Sequence, residues 1–348
     1  MSNIINKKVN ICAEYIWIDA FDNTRSKLKV IEFDHDYLPT INDFSEWNFD
    51  GSSTGQAEGR NSDILLKPVS LYKNPFIDWC KSYLVMCECY NKDGTVHSTN
   101  HRAKCILTAS KCEKDECLFG IEQEYILFGR DGLPYKWLGH NNPGNGSQGP
   151  YYCSVGGDRT FGRDLSLKHL EYCLKSGLKV CGTNGEVMAS QWEFQVGPLG
   201  PLEVSDQLWV SRYILQRLTE NYDCSASFHP KPYKGDWNGS GGHTNFSTKA
   251  MREAGGLSVI KEACNKFTNT HQSHMQIYGR FNDERLTGFH ETSSMNDFSW
   301  GISDRGRSIR IPLNVNKDGC GYLEDRRPAA NLDPYLVTEK IMDTILLN

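Results

Sequence analysis

Alternating apolar and polar residues mark several β-strands along this chain, and the most informative is Ile121–Phe128. Ile121, Tyr125, Ile126, Leu127 and Phe128 are apolar and β-prone, as in a buried strand. Two acids interrupt them. Glu122 and Glu124 stand two residues apart, so on a strand they project from one face, about 6–7 Å from each other. Like charges on a half-buried face repel, and each costs several kcal/mol to desolvate without a partner. The pattern calls for a cation between them.

The same anomaly recurs downstream. Gln191–Val196 alternates with Glu193 and Gln195 on one side, and Glu186 lies shortly before it in Thr183–Met188. In Gly239–Ser247, residues His243, Asn245 and Ser247 share a strand face. Tyr322–Arg327 sets Glu324 beside Arg326 and Arg327. Five such acids and one histidine predict an enclosed metal site. Oxygen ligands with a single imidazole favour Mg²⁺ or Mn²⁺ over zinc.

The rest of the pattern divides the chain. Residues 12–95 read as short strands with turns, among them Glu14–Asp19 and Tyr83–Tyr90, the latter closing on the turn Asn91–Gly94. A polar loop spans Asn48–Asp63, a length that is usually functional or disordered in a compact domain. From residue 99 onward strands and helices mix. Helices are predicted over Arg102–Lys111, Leu165–Ser176 (stopped by Gly177), Val204–Tyr222, Ser258–His274 and Pro334–Leu347. Trp237–Gly242 is glycine-rich but precedes a strand, which predicts close backbone approach in place of a helix-capped phosphate site. Neither nucleotide-binding glycine motif is present, so metals and arginines must hold the phosphates of any bound nucleotide.

Composition narrows the class. At 348 residues the chain can form two domains with a large core. A net charge of −5 and a pI near 6.1 argue against nucleic acid held by general electrostatics. No stretch approaches the roughly 18–20 apolar residues of a membrane span. Residues 1–8 lack the apolar core of a signal peptide. The expected location is therefore cytoplasmic, with the thirteen cysteines as mostly buried reduced thiols and the sequons at Asn145, Asn238 and Asn245 unused. Arginines concentrate in the last third: Arg285, Arg305, Arg307, Arg310, Arg326 and Arg327. Guanidinium forks suit carboxylates and phosphates, and with metals they stabilise phosphoryl transfer. The constellation points to a nucleotide-driven reaction on an acidic substrate.

The runs Glu46–Thr54, Gly120–Tyr125, Gly149–Cys153, Thr183–Gly197, Gly241–Glu253, Arg285–Phe298 and Gly321–Pro328 resemble, in this order, those of the eukaryotic-type (type II) glutamine synthetases. The resemblance covers nearly the whole chain. It implies an α+β fold, with a small N-terminal β-grasp domain over residues 12–95. A larger C-terminal catalytic domain would follow over 99–348, with a curved antiparallel sheet flanked by helices. It implies a homo-oligomer, a decamer of two stacked pentameric rings, whose active sites lie between ring neighbours. The implied reaction joins ammonia to L-glutamate with ATP as co-substrate, through γ-glutamyl phosphate.

Residue by residue, the resemblance gives one divalent ion to Glu124, Glu186 and Glu193 and a second to Glu122, His243 and Glu324, so two or more Mg²⁺ or Mn²⁺ per site. ATP would meet Glu193, Pro198, Asn245, Ser247, Arg305, Arg310 and Tyr322. Glutamate would meet Trp237, Asn238, Gly239, Arg285, Arg305 and Arg326. Asp50, Ser53, Tyr152 and Glu291 would bind ammonium, with Asp50 the base and Glu291 on a flap that excludes water. Arg326 would serve the transferring phosphoryl group. Departures from the family pattern remove no catalytic group. Leu118 stands where a tryptophan is usual, Gly242 where a cysteine is frequent, and Tyr278–Glu284 is shortened. A non-enzymatic relative would have lost metal acids or arginines, and a ligase for larger amines would not need the small polar cage.

Overall fold

The computed structural model describes residues 8–137 and 149–348; the Asn145 sequon lies outside them. Five strands form the first sheet: β1 (Lys8–Ile18), β2 (Thr24–Asp34), β3 (Trp47–Asp50), β4 (Asp63–Lys73) and β5 (Ser82–Asn91), in the order β2-β1-β5-β4-β3. β1 and β5 pair in parallel and the other neighbours are antiparallel. The apolar runs of β1 and β5 place them centrally, where Ile11, Tyr15, Ile16, Leu84 and Val85 are buried. β2 is an edge strand, with Lys27 and Lys29 packed over the Trp47 ring.

The second sheet holds eight strands in the order β11-β12-β13-β10-β6-β8-β7, with β9 also on β6. After α1 (His101–Lys111) come β6 (Leu118–Gly129), α2 (Arg163–Ser176), β7 (Val180–Gly185), β8 (Gln191–Leu199), α3 (Pro201–Thr219), β9 (Cys224–Ser227) and β10 (Gly242–Ser247). Then follow α4 (Lys249–Arg252), α5 (Gly256–Lys266), α6 (His271–Met275), β11 (Trp300–Ile302), β12 (Ile309–Ile311), α7 (Leu313–Asp318), β13 (Leu323–Asp325) and α8 (Pro334–Met342). The pairs are antiparallel except β11 with β12. Period-two alternation gives this sheet two unlike faces. Phe119, Ile121 and Tyr125 of β6 and Trp192, Phe194 and Val196 of β8 join one core with Val204, Leu208 and Ile214 of α3. The opposite face is left to the acids. Among the described residues, no helix is long and apolar enough to cross a membrane.

Several sequence expectations change. The N-terminal strands are not short: β1, β2 and β4 each run eleven residues. The expected loop Asn48–Asp63 is strand at both ends, where Asn48 pairs with Leu65 and Asp50 with Asp63. The α3 helix begins at Pro201, whose ring suits a first turn, and ends at Thr219 instead of Tyr222. Ser258–His274 is not one helix. A 3₁₀ turn at Phe267–Asn269 separates α5 from α6, where Thr268, Asn269 and Thr270 are weak helix formers. The tail is helical to Met342 and then widens to a π turn over Asp343–Leu347.

Candidate active site

Strand register assembles the polar face. Glu122 of β6 lies opposite His243 of β10 and Gln195 of β8, while Glu124 lies opposite Glu193. Glu193 in turn faces Asn184 of β7, and Glu324 of β13 faces Asn245 and Arg310. Glu186 is the exception, since it occupies the turn after β7 and no strand. Its carboxylate nevertheless joins Glu124 and Glu193 in a set whose ligand atoms lie within 4.8 Å of one another. Glu122, His243 and Glu324 form a second such set.

The first set, with Glu122 and His243 of the second, lines a cavity of about 540 Å³, together with Tyr152, Asn238, Gly239, Arg285, Glu291, Arg305, Arg310 and Arg326. An adjoining cavity of about 390 Å³ is lined by Leu118, Pro198, Asn245, Ser247 and Tyr322. Glu122, Cys181 and Gln195 border both. The first is polar and the second largely apolar, as a phosphate-bearing ligand with a flat base would require.

The electrostatics of the two sets differ. Burial, reinforced by the neighbouring acids, raises the carboxyls of Glu124, Glu186 and Glu193 each to about 8. Their contacts are neutral: Gly241 N–H donates to Glu124 at 2.8 Å, Asn184 donates to Glu186 at 2.9 Å, and Gln195 donates to Glu193. Glu324, only 2% exposed, instead accepts from Arg310 and Arg326 at 2.7 Å each. Burial, and then the Arg326 charge, push His243 well below the usual imidazole range, so it presents a neutral ring. Clustered oxygen donors, one neutral imidazole and uncompensated negative charge fit divalent cations of the Mg²⁺ or Mn²⁺ type.

Arg285 is 4% exposed and held by the carbonyls of Arg326 (2.7 Å) and Arg327 (3.2 Å) and by Asn282 (3.0 Å). Burial lowers it to about 10, still charged at neutral pH. The glycine run does permit close approach. A Cβ on Gly241 would meet Arg285 Nη2 and His243 Nε2 at 2.8 Å each, and one on Gly239 would meet the Pro230 carbonyl at 2.5 Å. Gly242 is equally confined, because a Cβ there would lie 2.2 Å from Leu332 Cδ2.

Four predicted residues do not line the cavities. Glu324 reaches them only through its donor set with Glu122 and His243. Trp237 packs edge-on against Trp137 in a small buried cluster. Asp50 and Ser53 lie outside both cavities, in an exposed turn where Asp50 accepts from Ser52 and Ser53. Hydrogen bonding from Ser52, then Ser62, with a smaller share from Ser53, lowers Asp50 to about 2. Of the other arginines, Arg327 forms a fully buried pair with Asp325 and Arg307 pairs with Asp304.

Sequence reasoning missed the support behind the strand. Buried Gln123 accepts from Arg212 Nε at 2.9 Å and Nη2 at 2.5 Å, and donates to the carbonyls of Glu124 and Ala330. Arg212 also binds the Leu332 and Ala330 carbonyls. The available signal was one arginine inside the apolar run Leu208–Leu215. Asn184 was missed too, because only register sets it opposite Glu193.

Comparisons with known proteins agree with this geometry. Residues 11–92 match the family model "Glutamine synthetase, beta-Grasp domain", and residues 100–346 match "Glutamine synthetase, catalytic domain". A Yarrowia lipolytica glutamine synthetase is 51% identical over 336 residues, covering 96% of this chain and 90% of that protein. One from Debaryomyces hansenii is 48% identical over 342 residues, covering 98% and 90%. The solved Plasmodium falciparum glutamine synthetase shares the fold, with a TM-score of 0.74 at 18% identity, covering 96% of this chain and 71% of that one. The chain belongs to the glutamine synthetase family and is a glutamate–ammonia ligase.

Proposed function

We propose that Glu124, Glu186 and Glu193 hold one Mg²⁺ or Mn²⁺ and Glu122, His243 and Glu324 a second, with ATP entering through the adjoining cavity. The observation that carries this is the pair of donor sets, each within 4.8 Å, at the polar cavity, with Glu122 also bordering the apolar one. The cations would neutralise and align the ATP phosphates. The base lies in the apolar cavity against Leu118, Pro198 and Tyr322, with Asn245 and Ser247 as polar contacts.

Arg285 receives the glutamate α-carboxylate, with Asn238 and Gly239 beside it. Its backbone hydrogen bonds fix the guanidinium before substrate arrives, so little ordering remains on binding. The γ-carboxylate oxygen attacks the γ-phosphorus of ATP; the new O–P bond forms as the bond to the ADP oxygen breaks. Arg305, Arg310 and Arg326 stabilise the charge on the phosphoryl oxygens. Arg326 also donates to the carbonyls of Arg305 (3.1 Å) and Glu291 (3.3 Å), which ties it to the segment that covers the intermediate. Ammonium binds by Tyr152 and Glu291 and gives one proton to Asp50 of a neighbouring copy. The ammonia attacks the acyl carbon, the acyl C–O bond to phosphate breaks, and the nitrogen loses a second proton to the leaving phosphate.

Asp50 and Ser53 complete the ammonium site of a neighbouring copy. Their exposure, away from their own chain's cavities, supports a shared site in a ring-shaped oligomer. The test is phosphate release from ATP with Mg²⁺ and L-glutamate, with and without ammonium. Ammonium-dependent release with matching glutamine is expected. Asp50→Ala should lower it by about 10²-fold or more. Mixing inactive Asp50→Ala and Glu193→Gln chains should restore part of the activity, and no restoration would contradict the shared site.

A further inference from the structure

Two carbonyls and one side chain hold the Arg285 guanidinium, and the side chain belongs to Asn282, three residues before it. Asn282 is 1% exposed and opens the short 3₁₀ turn Asn282–Glu284. Phe281, just ahead of it, has a left-handed backbone (φ 60°), which residues other than glycine rarely adopt. Asn282 is buried directly after that reversal, while the Phe281 ring stays exposed against His229. The Asn282 amide can face only one way. Its Nδ2 donates at 2.8 Å to the Arg327 carbonyl, which cannot donate back, and its Oδ1 accepts at 3.0 Å from Arg285 Nη1, which cannot accept. The same Arg327 carbonyl accepts from Arg285 Nη1 at 3.2 Å, so carbonyl, amide and guanidinium close a triangle.

A guanidinium has five N–H bonds. Nη1 gives to Asn282 and Arg327, and Nη2 gives once, to the Arg326 carbonyl at 2.7 Å. Among the described residues, that leaves Nε–H and the second N–H of Nη2. They sit on neighbouring nitrogens, and two such donors match the two oxygens of a carboxylate. The arginine is also walled on its other side: a Cβ on Gly239 would meet Arg285 Cγ at 2.8 Å, and one on Gly241 would meet Nη2 at 2.8 Å.

We propose that Asn282 is a positioning residue for L-glutamate: by holding Nη1 it turns the Nε–Nη2 edge of Arg285 to the substrate α-carboxylate. This rests on the reading of Arg285 as the group that receives that carboxylate. Arg285 lines the polar cavity and Asn282 does not, so Asn282 acts through the arginine and touches no substrate. Without the amide the charge remains and its orientation is lost, so attraction survives while the two-point fit does not. The loss falls on glutamate, because no residue of the nucleotide cavity is held by Asn282.

The test is steady-state kinetics of the full-length enzyme with Mg²⁺, varying L-glutamate and ATP in turn. Asn282→Ala should raise the KM for L-glutamate about 10-fold or more and leave the KM for ATP within about two-fold. Asn282→Asp keeps an acceptor for Nη1, but its carboxylate competes with the substrate for the guanidinium, so it should raise the same constant at least as far. It fills nearly the same space as asparagine and decides the matter if the alanine variant is unstable. Arg285→Lys keeps the charge and loses the fork, and it too should raise the glutamate KM. If Arg285→Lys leaves that KM unmoved, Arg285 does not receive the carboxylate and both readings fall. If Arg285→Lys raises it while the Asn282 variants leave it within about two-fold, or raise the KM for ATP equally, the role of Asn282 is overturned and that of Arg285 stands.

Discussion

The two donor sets stand side by side on one sheet face, yet they are compensated in opposite ways. Glu324 carries its counter-charge within the protein, in the hydrogen bonds from Arg310 and Arg326. Glu124, Glu186 and Glu193 touch only neutral donors, and burial with mutual repulsion raises all three carboxyls. Similar ligand sets therefore need not depend on metal to the same degree. The first is incomplete without a cation, and the second is already half neutralised by arginines that also serve phosphoryl transfer.

Substitutions that remove charge should therefore act with opposite signs. The largest effect is expected for Glu324→Gln, which strands two arginines in a buried site. It should destabilise the metal-free protein by about 3–5 kcal/mol in denaturant titration. Glu193→Gln should do the reverse. At pH 8 without metal it should stabilise by on the order of 2 kcal/mol, since it relieves an uncompensated charge. It should nevertheless lower turnover with Mg²⁺ by about 10²-fold or more. If both variants lose metal-free stability, the contrast fails.

The pH dependence sharpens the comparison. Folding raises the three carboxyls above their usual value of 4.5 to about 8. The folded state then binds protons more tightly than the unfolded one. That stability is fully present below 4.5 and is lost as the pH rises toward 8. The metal-free melting temperature should fall through this window, and Mg²⁺ should flatten the curve. A metal-free profile as flat as the Mg²⁺ profile would count against the account.

The smallest single effect is expected for one of two substitutions behind the sheet. Gln123→Glu keeps an acceptor for Arg212 and adds a counter-charge but loses the donations to the Glu124 and Ala330 carbonyls, so the opposing changes should leave stability within about 1 kcal/mol. Gln123→Leu removes the acceptor and should cost about 3 kcal/mol or more. Urea denaturation of both variants separates loss of the hydrogen bonds from mere crowding.

Much of this was legible in sequence because strands have period two. Glu122 with Glu124, Glu193 with Gln195, and His243 with Asn245 were each placed on one face by counting alone. What escaped depends on register or on irregular backbone. Glu186 sits in a turn, where no period applies, and Asn184 meets Glu193 only through the pairing of β7 with β8. β2 was unread because an edge strand needs no apolar run. The break after Lys266 followed from a local 3₁₀ turn that the apolar spacing hides. The family resemblance supplied the pairing of ligands into two sets, which spacing by itself left open.

The most direct test is calorimetric titration of Mg²⁺ into metal-free enzyme near pH 7, in buffers of different ionisation enthalpy. Carboxyls held near 8 are largely protonated there, so Mg²⁺ should displace about one proton or more per chain, and the release should vanish well above pH 8. Glu193→Gln should reduce the release, whereas Glu324→Gln should not. Tight Mg²⁺ binding with no proton release at pH 7 would contradict the claim that burial and mutual repulsion at Glu124, Glu186 and Glu193 outweigh the nearby Arg285 and Arg326 charges.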